Sequence, residues 1–111
     1  MRIVAIGSSL IYGRADMLHG GCISRIRAEL ELRHPDSLLF NLGVPGEGLR
    51  ALERRIRTEC RPRSPDLILL SIGIDDVLRS AMGEEEFRAA ARACISEAMD
   101  SAQTVVLTPP F

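Results

Sequence analysis

The sequence predicts an open α/β fold built on a parallel sheet, and three observations carry that expectation. Four short apolar runs are uninterrupted rather than alternating, as strands covered on both faces are. Between them lie three segments with helical spacing, so strand and helix alternate along the chain. The first three strands exit into polar turns that contain glycine, on the sheet edge where ligands of such folds bind.

Taken in order, the first strand is Ile3 to Ile6 and runs into Gly7-Ser8-Ser9. In the first helical segment Leu18, Cys22, Ile26 and Leu30 recur every four residues and form one apolar stripe, stopped by Pro35. The second strand, Leu38 to Leu42, exits into Gly43-Val44-Pro45-Gly46-Glu47-Gly48. Leu49, Leu52, Ile56 and Cys60 make the stripe of the second helix, which Pro62 and Pro65 end. The third strand, Leu67 to Ile72, leads into Gly73-Ile74-Asp75-Asp76. Glu84-Glu85-Glu86 then puts negative charge at the positive end of a third helix, whose stripe is Phe87, Ala91, Cys94 and Ala98. Thr104 to Leu107 is the fourth strand.

Composition narrows the function. A chain of 111 residues with 46% apolar content makes one domain, residues 1–111, with a real core. Its net charge is -1 with both signs mixed, which argues against nucleic acid as a partner. All 14 basic residues are Arg. The arginines between Arg50 and Arg63 alternate with Glu53 and Glu59 and read as a solvated helix face. Cys22, Cys60 and Cys94 are widely spaced and read as reduced core residues rather than metal ligands. Asp75 and Asp76 lack further ligands, so no metal and no cofactor is expected. The apolar start is too short for a signal peptide and no run nears the ~20 residues of a membrane span, so a cytoplasmic protein is expected.

Three segments resemble blocks of the SGNH/GDSL serine hydrolases. Ile6-Gly7-Ser8-Ser9-Leu10 is similar to the family's Gly-Asp-Ser-Leu, and the resemblance makes Ser9 the nucleophile. Asn41-Leu42-Gly43-Val44-Pro45-Gly46 is similar to the second block, which implies that the Gly46 N–H donates to the oxyanion hole, along with the N–H of Ser9. Gly73-Ile74-Asp75-Asp76 is similar to Gly-x-Asn-Asp and puts Asp75 where the family has a donor asparagine. The resemblance further implies a three-layer, flavodoxin-like sheet of order 2-1-3-4, lacking the family's fifth strand and closing helix. A small-molecule ester, cleaved by attack of the serine oxygen on an acyl carbon, is the implied substrate.

The departures matter as much. Ser8 replaces the aspartate of the first block. Asp75, ionised, accepts hydrogen bonds but cannot donate one. The family's final Asp-x-x-His, source of catalytic acid and base, has no counterpart before Phe111. His19 is the nearest substitute on the Ser9 edge; His34 lies at the far end of the first helix, roughly 20 Å away. The expectation is therefore an incomplete domain, inactive by itself, with an uncovered sheet face and edge suited to self-association. A non-catalytic scaffold and a flavodoxin-like module binding phosphate or a nucleotide through Gly7-Ser8-Ser9 stay open as alternatives.

Overall fold

The computed structural model describes residues 1–72 and 82–108. Its strands are β1 (Arg2–Gly7), β2 (Leu38–Gly43), β3 (Leu67–Ser71) and β4 (Gln103–Leu107). Between them run the short helical turn α1 (Ser9–Tyr12), α2 (Cys22–Arg33), α3 (Leu49–Arg55) and α4 (Glu84–Ser101). The sheet is parallel with order β2-β1-β3-β4, so the expected arrangement is observed. Because each strand returns through a helical crossover, both faces acquire helices and β1 sits inside the sheet.

Two cores flank the sheet. Val4 and Ile6 of β1 with Ile68 and Leu70 of β3 meet α3 and α4, through Leu49, Leu52, Ile56, Cys60, Cys94 and Ala98. The stripes predicted for the second and third helices are the buried faces. On the other side Ile3, Ala5 and Leu39 meet Ile11 of α1 and Ile23 of α2. This face is thinly covered: Leu67, Leu69 and Leu107 are half-buried and Val105 is 44% exposed. Among the described residues β4 pairs only with β3.

The stripe expected for the first helix is corrected. Leu18 lies before α2 and is 89% exposed, Cys22 begins the helix and is exposed, and Ile26 is 43% exposed. Gly20 and Gly21, with φ of 72° and 93°, turn the chain just before the helix, so Leu18 lies off its axis, and within α2 the side bearing Cys22 and Ile26 turns to solvent. Leu30, the last residue of the expected stripe, does pack against the core, and Ile23 joins it there. Of the cysteines expected inside, Cys60 and Cys94 are buried, and burial pushes the Cys60 thiol up to about 11.

The Arg50–Arg63 segment is also more than a solvated face. α3 continues through a wider π-helical turn at Ile56–Cys60 and a 3₁₀ turn at Arg61–Arg63. Along it Arg50 pairs with Glu86, and Arg57 and Arg61 with Glu97, fastening α3 to α4. Arg63 joins Arg2 near the Phe40 ring, at 5.5 and 5.4 Å from its centroid.

Candidate active site

β1 brings the chain to the carboxyl edge of the sheet, where Gly7 permits a turn that no other residue would. A side-chain carbon there would stand 2.8 Å from Ile11 Cγ1 and 2.8 Å from the Ser71 carbonyl oxygen. Ser8, buried, precedes α1, and half-buried Ser9 is its first residue. The turn is held by its own backbone: the Ser8 carbonyl accepts the Tyr12 N–H at 3.0 Å, and the Ser9 carbonyl accepts those of Gly13 and Arg14 at 3.0 and 3.1 Å. Fully buried Ile11 anchors it in the core, leaving Ser9 at the sheet edge.

β2 runs beside β1 with Gly43 opposite Gly7. The Val44 N–H donates to the Gly7 carbonyl at 3.0 Å, one step beyond that pair. The turn holding Gly46 therefore leaves the sheet from the strand next to Ser9 and at the same level. Gly46 has φ 80°, a conformation that glycine adopts without strain. Asp75 lies outside the described residues, as do Gly73 and Asp76.

Side chains that the motif reading did not single out fasten the two turns together. The Asn41 amide donates from Nδ2 to the Ile11 carbonyl at 2.7 Å, and its Oδ1 accepts the Gly43 N–H at 2.9 Å. One side chain on β2 thereby braces the turn that begins with Ser9. On the other side of the Gly46 turn, Glu47 has a side chain only 7% exposed and accepts from Arg55 Nη1 at 2.6 Å. Arg55 also donates to the Leu42 carbonyl at 2.8 Å and to Glu59 at 2.8 Å. Burial pushes the Glu47 carboxyl above its usual range, against the pull of Arg55.

Between α1 and α2 the chain forms a closed loop. Gly13 and Gly21 touch across its base, so closely that a side-chain carbon on either would clash with the other's backbone. The Asp16 carboxylate accepts the N–H groups of His19 and Gly21, each at 3.1 Å, and Arg25 lies 3.5 Å away. The His19 N–H holds the Asp16 carboxyl below the usual range, despite some desolvation. His19 itself is exposed in this loop.

Gly43→Ala should move the site as well as weaken the fold. A side-chain carbon at Gly43 would clash with the Tyr12 nitrogen and lie 2.7 Å from Tyr12 Cα and 2.8 Å from the Ile11 carbonyl carbon. Backbone cannot step aside as a side chain can, so α1 must shift. We expect a loss of about 1–3 kcal/mol in urea unfolding and displaced amide resonances from Ser9 to Gly13.

No family model and no curated protein matches the sequence. Solved structures do match its fold. A catalytic mutant of Axe2, an acetylxylan esterase from Geobacillus stearothermophilus, superposes with TM-score 0.79 at 22% identity, over 97% of this chain and 59% of that one. AlinE4, an SGNH-hydrolase family esterase, gives 0.76 at 23% identity, over 96% and 57%. EstA, a psychrotrophic esterase from Pseudoalteromonas sp., gives 0.81 at 19% identity, over 98% and 61%. The chain has the SGNH-hydrolase fold. It spans about three fifths of the length of these enzymes.

Within the SGNH-hydrolase fold, the β1 exit carries Ser9 and the adjacent β2 exit carries Gly46. The two turns start from neighbouring strands at one edge of the sheet. Among the described residues no group of His, Cys, Asp and Glu is arranged to hold a metal, and no helix is long and apolar enough to cross a membrane.

Proposed function

We propose that the chain is the front part of a carboxylic-ester hydrolase or acyltransferase, with Ser9 as nucleophile. Ser9 and Gly46 supply backbone N–H donors to the oxyanion, and Asp75 occupies the family's third donor position. The observation that carries this reading is the parallel pairing of β1 with β2 to the last residue of each, which starts the Ser9 and Gly46 turns side by side. The fold shared with Axe2, AlinE4 and EstA supports it.

In this reading residues 1–111 form an incomplete SGNH domain, and the acid and base come from an Asp-x-x-His segment outside it. The substrate is a small-molecule ester met in the cytoplasm, with neither nucleic acid nor membrane as partner. The thinly covered face beside Leu67, Leu69 and Val105, together with the β4 edge, is the surface for self-association. The competing reading is a scaffold without chemistry, which the acidic Asp75 favours.

The test is reaction of this chain with a fluorophosphonate, read as an adduct on Ser9 by mass spectrometry. EstA is known in a form inhibited by monoethylphosphonate, so the shared fold accommodates a phosphorus-centred mimic of an acyl group. Without the Asp-x-x-His base the Ser9 proton must go to solvent, so reaction is slow and is helped only by the backbone donors at the oxyanion. Slow labelling of Ser9, absent in Ser9→Ala, is expected. Labelling that persists in Ser9→Ala, or inorganic phosphate seated on the Gly7-Ser8-Ser9 turn, sinks the hydrolase reading.

A further inference from the structure

Residues 44–48 join β2 to α3, and Gly46 is among them. Val44 and Pro45 stand in solvent, and Gly46 and Gly48 have no side chain, so within this stretch Glu47 alone has a buried one. A glycine on each side leaves Glu47 with little restraint from its neighbours in the chain. Its carboxylate supplies the restraint instead, accepting from Arg55 Nη1 at 2.6 Å.

Arg55 is itself fixed. Its Nη2 donates to the Leu42 carbonyl at 2.8 Å, and Nε and Nη2 both reach Glu59 Oε2, at 3.1 and 2.8 Å. A planar guanidinium whose donors form a rigid fork therefore holds Glu47 at one place relative to the end of β2. That strand is paired with β1 as far as Gly7, two residues before Ser9. A continuous series of bonds thus runs from the Ser9 strand to Glu47.

The turn it holds is of a defined kind. The Glu47 N–H donates to the Val44 carbonyl at 3.2 Å, Pro45 takes the second position, and Gly46, with φ 80°, takes the third, which makes a type II turn. The Gly46 N–H belongs to the middle peptide, takes no part in the turn's own hydrogen bond, and has no acceptor among the described residues. Its direction is set by how the turn is held. Burial raises the Glu47 carboxyl pKa in spite of Arg55, so ionising this group weakens the fold. A carboxyl kept where folding opposes its charge is characteristic of functional sites.

Resting on the hydrolase reading, we propose that Glu47 and Arg55 are positioning residues that aim the Gly46 N–H at the oxyanion formed when Ser9 attacks. Glu47 fixes the turn, and Arg55 fixes Glu47.

The first measurement is ¹⁵N relaxation of the full chain. In the parent the Gly46 amide should be as ordered as those of β1, with an order parameter of about 0.85. Glu47→Ala should bring Gly46 below about 0.6 while Val4 and Ile6 keep their parent values. Glu47→Gln retains an oxygen that accepts from Arg55 and should match the parent. An equally ordered Gly46 in Glu47→Ala overturns the proposal. So does a loss of order that extends to β1, because Glu47 then holds the fold rather than the turn.

The second measurement compares labelling of Ser9 by a fluorophosphonate and by its thiono analogue, in which sulfur replaces the phosphoryl oxygen. Sulfur is a weak acceptor, so the ratio of the two rates reports the oxyanion donors and cancels any change in the folded fraction. Losing one donor outright is worth about 100- to 1000-fold, so a loosened donor in Glu47→Ala should lower the ratio at least about tenfold, against less than about threefold in Glu47→Gln. Ser9 labelled with an unchanged ratio in Glu47→Ala overturns the positioning role and leaves the hydrolase reading intact. Labelling that persists in Ser9→Ala, beside a Gly46 loosened in Glu47→Ala, does the reverse: the nucleophile reading fails and Glu47 stands as the anchor of the turn. The relaxation result decides that anchor even where neither reagent labels Ser9.

Discussion

Arg55→Met should cost the fold about 3 kcal/mol and make its stability fall as pH rises. Arg55 ties together Glu47, Glu59 and the Leu42 carbonyl, and its side chain is only 17% exposed. Removing one partner of such a pair leaves the other charge buried, a loss of about 3–5 kcal/mol when burial is complete. The pH sign follows from Glu47. Burial already raises its carboxyl pKa and Arg55 opposes that, so the variant raises it further. A carboxyl whose pKa is higher in the folded state binds its proton more tightly there. Stability is then greatest below the ordinary glutamate value of 4.5 that the unfolded chain keeps, and declines as pH rises through the raised folded value. Urea unfolding at pH 4 and pH 7 should show a larger gap between parent and variant at pH 7. Adding Glu47→Gln to Arg55→Met should recover part of the loss. If the single variant is as stable as the parent at pH 7, the clamp around the Gly46 turn contributes nothing.

Asp75→Asn should speed fluorophosphonate labelling of Ser9 about 100- to 1000-fold, the effect of one oxyanion donor. The prediction rests on side-chain chemistry: an ionised carboxylate offers only acceptors to a developing negative charge, whereas an amide offers N–H donors. Second-order labelling rates at pH 7 for the parent, Asp75→Asn and Ser9→Ala check it. An unchanged rate in Asp75→Asn would mean that position 75 does not face the oxyanion, and the resemblance of the third block would lose its chemical meaning.

Much of the fold was legible because parallel strands buried on both faces leave an unmistakable apolar run, and all four runs are strands. The stripes at Leu49, Leu52, Ile56 and Cys60 and at Phe87 to Ala98 succeeded because a continuous helix lies beneath each. Spacing failed at Leu18, which two glycines separate from the helix, and at Cys22 and Ile26, which share the axis of α2 but face solvent. The turn positions of Ser9 and Gly46 were readable from glycine-bearing exits. Their bracing was not, since Asn41 and Arg55 act through neighbours 30 and 13 positions away, and no local pattern records such partners. Asn41 did leave one signal: an amide is unusual within an apolar strand and invites the question of what it bonds.

The order β2-β1-β3-β4 also governs how the molecule assembles. The strand synthesised first acquires its two neighbours only after chain some 36 and 64 residues further on has arrived, by pairing Arg2 with Leu38 and Ile3 with Leu67. Loop closures of that span are slow and entropically unfavourable before any contact offsets them. Refolding is therefore expected to be limited by non-local docking, and the geometry around Ser9 waits at least for β2, whose Asn41 and Val44 brace it.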